Sequence, residues 1–200
     1  MMRILAFSDL HMARNRAAEI VAASAEADLV IGAGDYCNLR QGLDDAMEML
    51  SGVTAPLVLV PGNAESAGEL TDAAPEGVHV LHGAGMTLDG LRLFGLGYGV
   101  PNTPFGDWSC DLSEAEAAEL LERCDAVDIL IAHSPPKGHG DVTSLGDAVG
   151  SVAVRDAVER LQPQHVFCGH IHDSWGYRGT IGRAQVANLG PKVNWFEVSV

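Results

Sequence analysis

The stretch HVFCGHIHDSWG, His165 to Gly176, decides how this chain reads. His165–Cys168 is an apolar run of strand length, and it stops at Gly169 followed by His170 and His172. On an extended chain residues i and i+2 face the same side, so such a pair can grip one metal ion. A histidine or aspartate after a strand is also an ordinary turn residue or helix cap. The reading therefore depends on whether other strands end in the same way.

They do. Ile4–Phe7 runs into Ser8-Asp9-Leu10-His11, Leu29–Ala33 into Gly34-Asp35, Leu57–Val60 into Gly62-Asn63, and Val127–Ala132 into His133-Ser134. Five apolar runs each deliver one or two potential ligands at their C-terminal ends, the edge where open α/β sheets bind ligands. Glycine before Asp35, Asn63 and His170 permits a sharp turn directly after the strand. Two aspartates, one asparagine and four histidines make seven mixed N/O donors. That is too many for one tetrahedral ion and suits two borderline dications such as Mn, Fe, Zn or Ni. Two ions bridged by a carboxylate are an arrangement used for attack on phosphorus.

Between these strands the sequence predicts helices at Asn15–Glu26 and Leu43–Ser51, with a shorter one at Ser66–Ala73. The order βαβαβ implies parallel strands with crossover helices. Further strands are predicted at Val78–Leu81, Met86–Leu88 and Leu91–Leu96, the last two joined by an Asp89-Gly90 hairpin turn. Helix Ser113–Arg123 opens with a Ser-Glu-Ala-Glu capping box. Helix Ser151–Leu161 precedes the His165 strand, and short strands close the chain. The economical reading is one mixed α/β domain over residues 1–200.

Composition narrows the function. The chain is 47% hydrophobic, which allows a real core, and no apolar run reaches the ~18–20 residues that span a bilayer. The opening MMRILAFSDLH turns polar at Ser8 without a cleavage pattern, so a cytoplasmic location is expected. Cysteines 37, 110, 124 and 168 form no Cys-x-x-Cys pair, and they read as small buried apolar residues. With 12 basic and 27 acidic residues the net charge is −15, which argues against a binder of long nucleic acid. Such a chain must supply positive charge locally to handle an anion, and metal ions are one way.

Asp9-x-His11, Gly34-Asp35, Gly62-Asn63, His133 and Gly169-His170-Ile171-His172 together resemble the ordered signature of the calcineurin-like metallophosphoesterases, from Leu5 to about Gly176. HSPPKGHGD (His133–Asp141) and GHIHDSWG (Gly169–Gly176) look closest to the small branch related to class III cyclic-nucleotide phosphodiesterases. The resemblance implies an α/β fold with a two-sheet mixed β-sandwich flanked by helices. It implies that Asp9, His11 and His172 hold one metal, that Asn63, His133 and His170 hold the other, and that Asp35 bridges them. Water activated between the ions would then attack a small phosphoester substrate, a phosphodiester or nucleotide before a protein.

The departure is Ala64. The family usually carries a histidine here as proton donor to the leaving group; only its acidic neighbour, Glu65, remains. Loss of a general acid costs roughly 10²–10⁴-fold for a poor leaving group and less for a good one. Some relatives have cysteine at this position and look like competent phosphodiesterases, so the change does not by itself mean inactivity. A competing expectation is a metal-holding or protein-binding scaffold of the same fold. His139 and Lys137, on the loop after His133, are alternatives for overhanging the metals, with His139 a candidate catalytic or substrate-binding residue. Trp108, Trp175 and Tyr177 could stack a base, although packing in the core or at an edge is the plainer reading. Arg40 could clamp a phosphate, but a solvated arginine at a helix start is the simpler expectation, as are structural roles for His79, His82 and His165. A homodimer is a fair expectation for an enzyme of this size.

Overall fold

A computed structural model describes all residues from Met1 to Val200. Its first half follows the alternation seen in the sequence. β1 (Met2–Phe7), α1 (Arg14–Ser24), β2 (Leu29–Gly32), α2 (Leu43–Leu50), β3 (Leu57–Leu59), α3 (Ala67–Ala73) and β4 (His79–Val80) come in order. β1 to β4 pair in parallel, side by side. The expected Val78–Leu81 strand shortens to two paired residues at this edge.

A second sheet then forms. β5 (Ala84–Leu88) and β6 (Leu91–Leu96) are an antiparallel hairpin, and both turn residues, Asp89 (φ 47°) and Gly90 (φ 87°), take the left-handed conformation of a type I′ turn. β6 continues through α4 (Glu114–Leu121) to a parallel β7 (Ile129–Ala132), and through α5 (Val152–Leu161) to a parallel β8 (His165–Cys168). β9 (Arg178–Ile181) and β10 (Ala184–Asn188) complete this sheet in the order β5-β6-β7-β8-β10-β9. β11 (Asn194–Val198) crosses back and pairs antiparallel with β1, giving β11-β1-β2-β3-β4.

Strand alternation explains how the sheets stack. Ile4, Ala6, Ile31 and Val58 meet Ile129, Ile131 and Phe167 in one core between the sheets. Leu5, Phe7, Val30 and Leu59 face the other way, against Ile20 of α1 and Met47 and Leu50 of α2. Leu130, Val166 and Cys168 turn outward onto Leu121 of α4 and Val154 and Val158 of α5. The result is helix–sheet–sheet–helix, each apolar face covered. Ser113 caps α4 in the expected box with Glu116, and Ser66 caps α3 in another with Glu69. No helix is long and apolar enough to cross a membrane.

Candidate metal centre

Because β1, β2, β3, β7 and β8 are parallel within their sheets, their C-terminal ends open toward one edge of the sandwich. The loops after them bring all seven sequence-predicted ligands together. Four of these residues, Asp9 (φ 52°), His11 (φ 44°), Asp35 (φ 60°) and His170 (φ 65°), have left-handed backbones. That conformation is uncommon outside glycine, costs about 1–3 kcal/mol per residue and tends to collect at functional sites.

Two clusters share Asp35. In the first, one ligand atom from each of Asp9, His11, Asp35 and His172 lies within 4.8 Å of the others. His11 Nε2 stands 3.2 Å from His172 Nε2 and 3.5 Å from Asp35 Oδ2. In the second, Asp35, His133 and His170 cluster in the same way. Asn63 Oδ1 joins them, 3.2 Å from His133 Nε2 and 3.0 Å from His170 Nδ1. His133 Nε2 lies 3.5 Å from the same Asp35 Oδ2, so one carboxylate oxygen faces both groups.

The surroundings show that these atoms fit cations. His11 Nδ1 lies 3.2 Å from the Cys37 carbonyl and 3.0 Å from Asn38 Oδ1, two acceptors, so the ring proton belongs there and Nε2 presents a lone pair inward. His133 Nδ1 likewise donates to the Ala33 carbonyl at 2.7 Å. The Asn63 amide is turned by its Nδ2, which donates to Ser109 Oγ at 3.0 Å, while Ser109 donates to Asp111 Oδ1 at 2.8 Å. Asp9 Oδ2 accepts from Ser8 Oγ at 2.5 Å and from the Trp175 indole at 2.9 Å, leaving Oδ1 to face the cluster and the His170 N–H. Asp9 Oδ1, His11 Nε2 and Asn63 Oδ1 thus present lone pairs inward, the pattern in which an outer layer of hydrogen bonds orients metal ligands.

Charge follows the same geometry. Burial alone would raise the Asp35 carboxyl, but His133 beside it, helped by His11 and His170, holds it well below the usual carboxylate range. Burial opposes protonation of His133, and Asp35 overrides it and raises the imidazole. His170 is pushed down to about 4 by burial and then by the neighbouring His133. A cavity of about 350 Å³ opens over the clusters, with His11, Asp35, Asn63, His170 and His172 in its wall. No lysine or arginine lines it. Bound ions would supply the strong positive charge that Lys or Arg does not provide there.

The structure corrects the local mechanics expected from spacing. His170 and His172 do not grip one ion; His170 joins the Asn63 cluster and His172 the Asp9 cluster. The chain between them is no strand, since His172 opens a 3₁₀ turn over His172–Ser174. Asp9 and His11 do face one cluster, but through left-handed backbone instead of an extended run. Gly34 (φ 99°) makes a glycine-type turn as expected, whereas Gly62 does not. A Cβ on Gly62 would strike the Asp35 carboxylate, and that close approach is what the position requires.

Other candidates take their places as follows. Ala64 is buried, and its N–H donates to Asp35 Oδ1 at 2.8 Å. Glu65 is a buried staple: it accepts from the N–H groups of Asp35 and Gly62 (2.8 and 2.7 Å) and of Tyr36 (3.2 Å). Burial first, and then the Asp35 charge, push its carboxyl up to about 7. His139 is outside the cavity wall and bonds Tyr177 Oη through Nδ1 at 3.1 Å, while Lys137 reaches the Ala148 carbonyl. Arg40 is held by Glu69 in a two-point ion pair at 2.8 and 2.7 Å and does not reach the cavity. Trp108 lines the cavity, stacked on Phe105 at 5.6 Å. Trp175, expected to pack a core or an edge, instead holds Asp9 and lies 4.3 Å from the His172 ring. Ser109, Asp111 and Asn38 gave no sequence signal, because their roles exist only once distant loops meet.

The family profile described as calcineurin-like phosphoesterase matches residues 2–174. The UPF0046 protein K07C11.7 of Caenorhabditis elegans is 30% identical over 177 residues, 76% of this chain and 58% of that protein. The human metallophosphoesterase domain-containing protein 1 is 40% identical over 99 residues, 46% of this chain and 28% of that protein. The chain thus spans less than two thirds of the length of these relatives. In fold, it resembles the protein TT1561 of Thermus thermophilus at a TM-score of 0.76 and 17% identity, covering 99% of both chains.

Proposed function

The chain belongs to the calcineurin-like phosphoesterase family, and on that premise we propose that it hydrolyses a small phosphoester, a phosphodiester or nucleotide-sized molecule, with two divalent cations. Asp9, His11, Asp35 and His172 would hold one cation, and Asp35, Asn63, His133 and His170 the other. The observation that carries the reading is Asp35 Oδ2, placed 3.5 Å from both His11 Nε2 and His133 Nε2. When bound, the cations supply Lewis acidity toward phosphoryl oxygens and activate water near neutral pH.

The chain's own contribution is positional. Ser8 and Trp175 fix the Asp9 carboxylate, Asn38 fixes the His11 ring, and Ser109 fixes the Asn63 amide. The Ala64 N–H holds one oxygen of Asp35 and leaves the other to face both clusters. At residue 64 there is no side chain to protonate the departing oxygen, and His139 is bonded elsewhere. The leaving group takes its proton from solvent, so the rate depends steeply on leaving-group acidity.

Ala64 also favours a second reading, a cation-holding scaffold with little turnover. Protein loaded with Mn or Ni and offered bis-p-nitrophenyl phosphate separates the two. The hydrolase reading expects metal-stimulated turnover that Asp35→Asn and His170→Ala abolish. No turnover in protein shown by metal analysis to hold two ions would establish the scaffold.

A further inference from the structure

We propose that a second cavity beside the metal centre takes an apolar aromatic alcohol group of the substrate, so that phosphoesters of phenol-like alcohols are the preferred class. This rests on the hydrolase reading for its chemistry but not for its binding. The cavity measures about 560 Å³, larger than the one over the ligands, and the two share Phe105, Thr143, His170 and Ile171 in their walls. A molecule anchored at the cations can extend into it without leaving the protein.

Its walls are mainly apolar in surface, with Val100, Pro101, Phe105, Val149, Val152 and Ile171 among them. Phe105, Val149 and Val152 remain 51%, 39% and 40% exposed although they line a concave surface. A concave apolar pocket next to a few convergent polar groups is the usual form of a small-molecule site. Phe105 stands at the junction. Its ring stacks on Trp108 at 5.6 Å and 10°, and meets His170 edge-on at 6.5 Å. That leaves ring surface for an aromatic partner.

The charged groups in the cavity are already engaged. The Glu114 carboxylate accepts from Ser151 Oγ and from the N–H groups of Val152 and Ala153 at 2.8–2.9 Å, capping α5. Lys137 donates to the Ala148 carbonyl across the rim. Thr103 Oγ1 donates to Asp111 Oδ2 at 2.8 Å. A second phosphate would find one cation, Lys137, offset by the Glu114 carboxylate in the same wall, and a nucleobase would bring polar edges to walls that are mainly apolar. An unadorned aromatic ring meets neither cost.

Residue 64 points to the same class independently. In the step considered, the water oxygen bonds to phosphorus and the P–O bond to the organic group breaks. The aryloxide leaves with the bonding electrons, takes its proton from solvent, and the water's protons pass to solvent. Aryloxides depart readily unprotonated, whereas alkoxides need the acid that Ala64 does not provide.

The test compares phenylphosphonate with methylphosphonate by calorimetric titration of Mn-loaded protein. Phenylphosphonate should bind roughly tenfold or more tightly, an apolar-burial gain reduced by the cost of immobilising the ring. Val149→Glu should shrink that ratio, and so should the near-isosteric Val152→Thr, which guards against a folding defect. Equal affinities for the two phosphonates, or a preference that survives both variants, overturns the proposal. Turnover of bis-p-nitrophenyl phosphate is read on the same preparation. A retained aryl preference without turnover supports the pocket and sinks the hydrolase reading; turnover without aryl preference does the reverse.

Discussion

Replacing Gly62 by alanine tests how tightly the site is built. The backbone there is not left-handed, so alanine brings no conformational penalty of its own. Its methyl, however, would stand 2.7 Å from Asp35 Cγ and closer still to Asp35 Oδ1 and N, where ordinary contact begins at 3.4 Å. Asp35 cannot retreat as a whole, because its N–H is held by Glu65 at 2.8 Å. The carboxylate must therefore swing away by something near an ångström, giving up the 2.8 Å bond from Ala64 N–H, and the two turns must also part, since the methyl would meet the Asp35 backbone N. Overpacking and the lost buried hydrogen bond together cost about 2–4 kcal/mol. For a chain of this length that is roughly a 5–15 °C fall in Tm. A displacement of that size in the shared ligand should lower the rate by about 10²-fold. Thermal melts, metal analysis and bis-p-nitrophenyl phosphate turnover read the three effects. Gly68→Ala is the control: nothing lies within 4 Å of its added methyl, it sits in α3, and it should stabilise by about 0.5–1 kcal/mol. A Gly62→Ala protein with unchanged Tm and full metal content would refute the crowding argument.

Three further outcomes are expected. Ala64→His should accelerate esters with poor leaving groups, by up to roughly 10²–10⁴-fold, far more than p-nitrophenyl esters; equal gains on both would show that the position does not deliver the leaving-group proton. Ser109→Ala frees the Asn63 amide and should weaken cation affinity by about 10–100-fold without unfolding the protein, as calorimetric metal titration would reveal. His82 is held below its ordinary 6.5 by burial, with its Nδ1 accepting from Gly97 N–H at 3.1 Å. The unfolded chain then binds the proton first, so the contribution of His82 is present above pH 6.5 and is lost as pH falls. His82→Gln should accordingly show a smaller drop in Tm between about pH 7.5 and about pH 5.5 than the parent, and an unchanged drop would exclude His82 as a source of acid sensitivity.

The sequence showed the site more clearly than the architecture that carries it. A parallel strand buried on both faces leaves an unbroken apolar run, and the first polar residue after it marks the sheet edge; Asp9, Asp35, Asn63, His133 and His170 were legible for that reason. Leu91–Leu96 and His165–Cys168 are legible to the residue because Gly90 and Gly97 bracket the first, and Gln164 and Gly169 the second. The division into two sheets was legible only through the family resemblance, since apolar periodicity is the same whichever sheet a strand joins. Nor does spacing say that β11 returns to pair with β1. The roles of Trp175, Asn38 and Ser109 were hidden because each depends on a partner brought in from elsewhere in the chain: Asp9, His11 and Asn63 lie 166, 27 and 46 residues away. The separate fates of His170 and His172 were legible through the family resemblance but not through spacing, because left-handed backbone and a 3₁₀ turn break the two-residue repeat.

The division of the ligands between the two sheets has a consequence for the order in which the protein is made. Asp9, His11, Asp35 and Asn63 follow strands of one sheet, and His133, His170 and His172 follow strands of the other. Each cluster takes members from both. Neither is whole until His170 and His172 have been synthesised and β8 has found its neighbours, by which time most of the chain already exists. A nascent or truncated chain would hold at best a partial set of donors and bind a cation weakly. Cation loading therefore belongs to the end of folding, and a fully loaded molecule is one whose two sheets have already met.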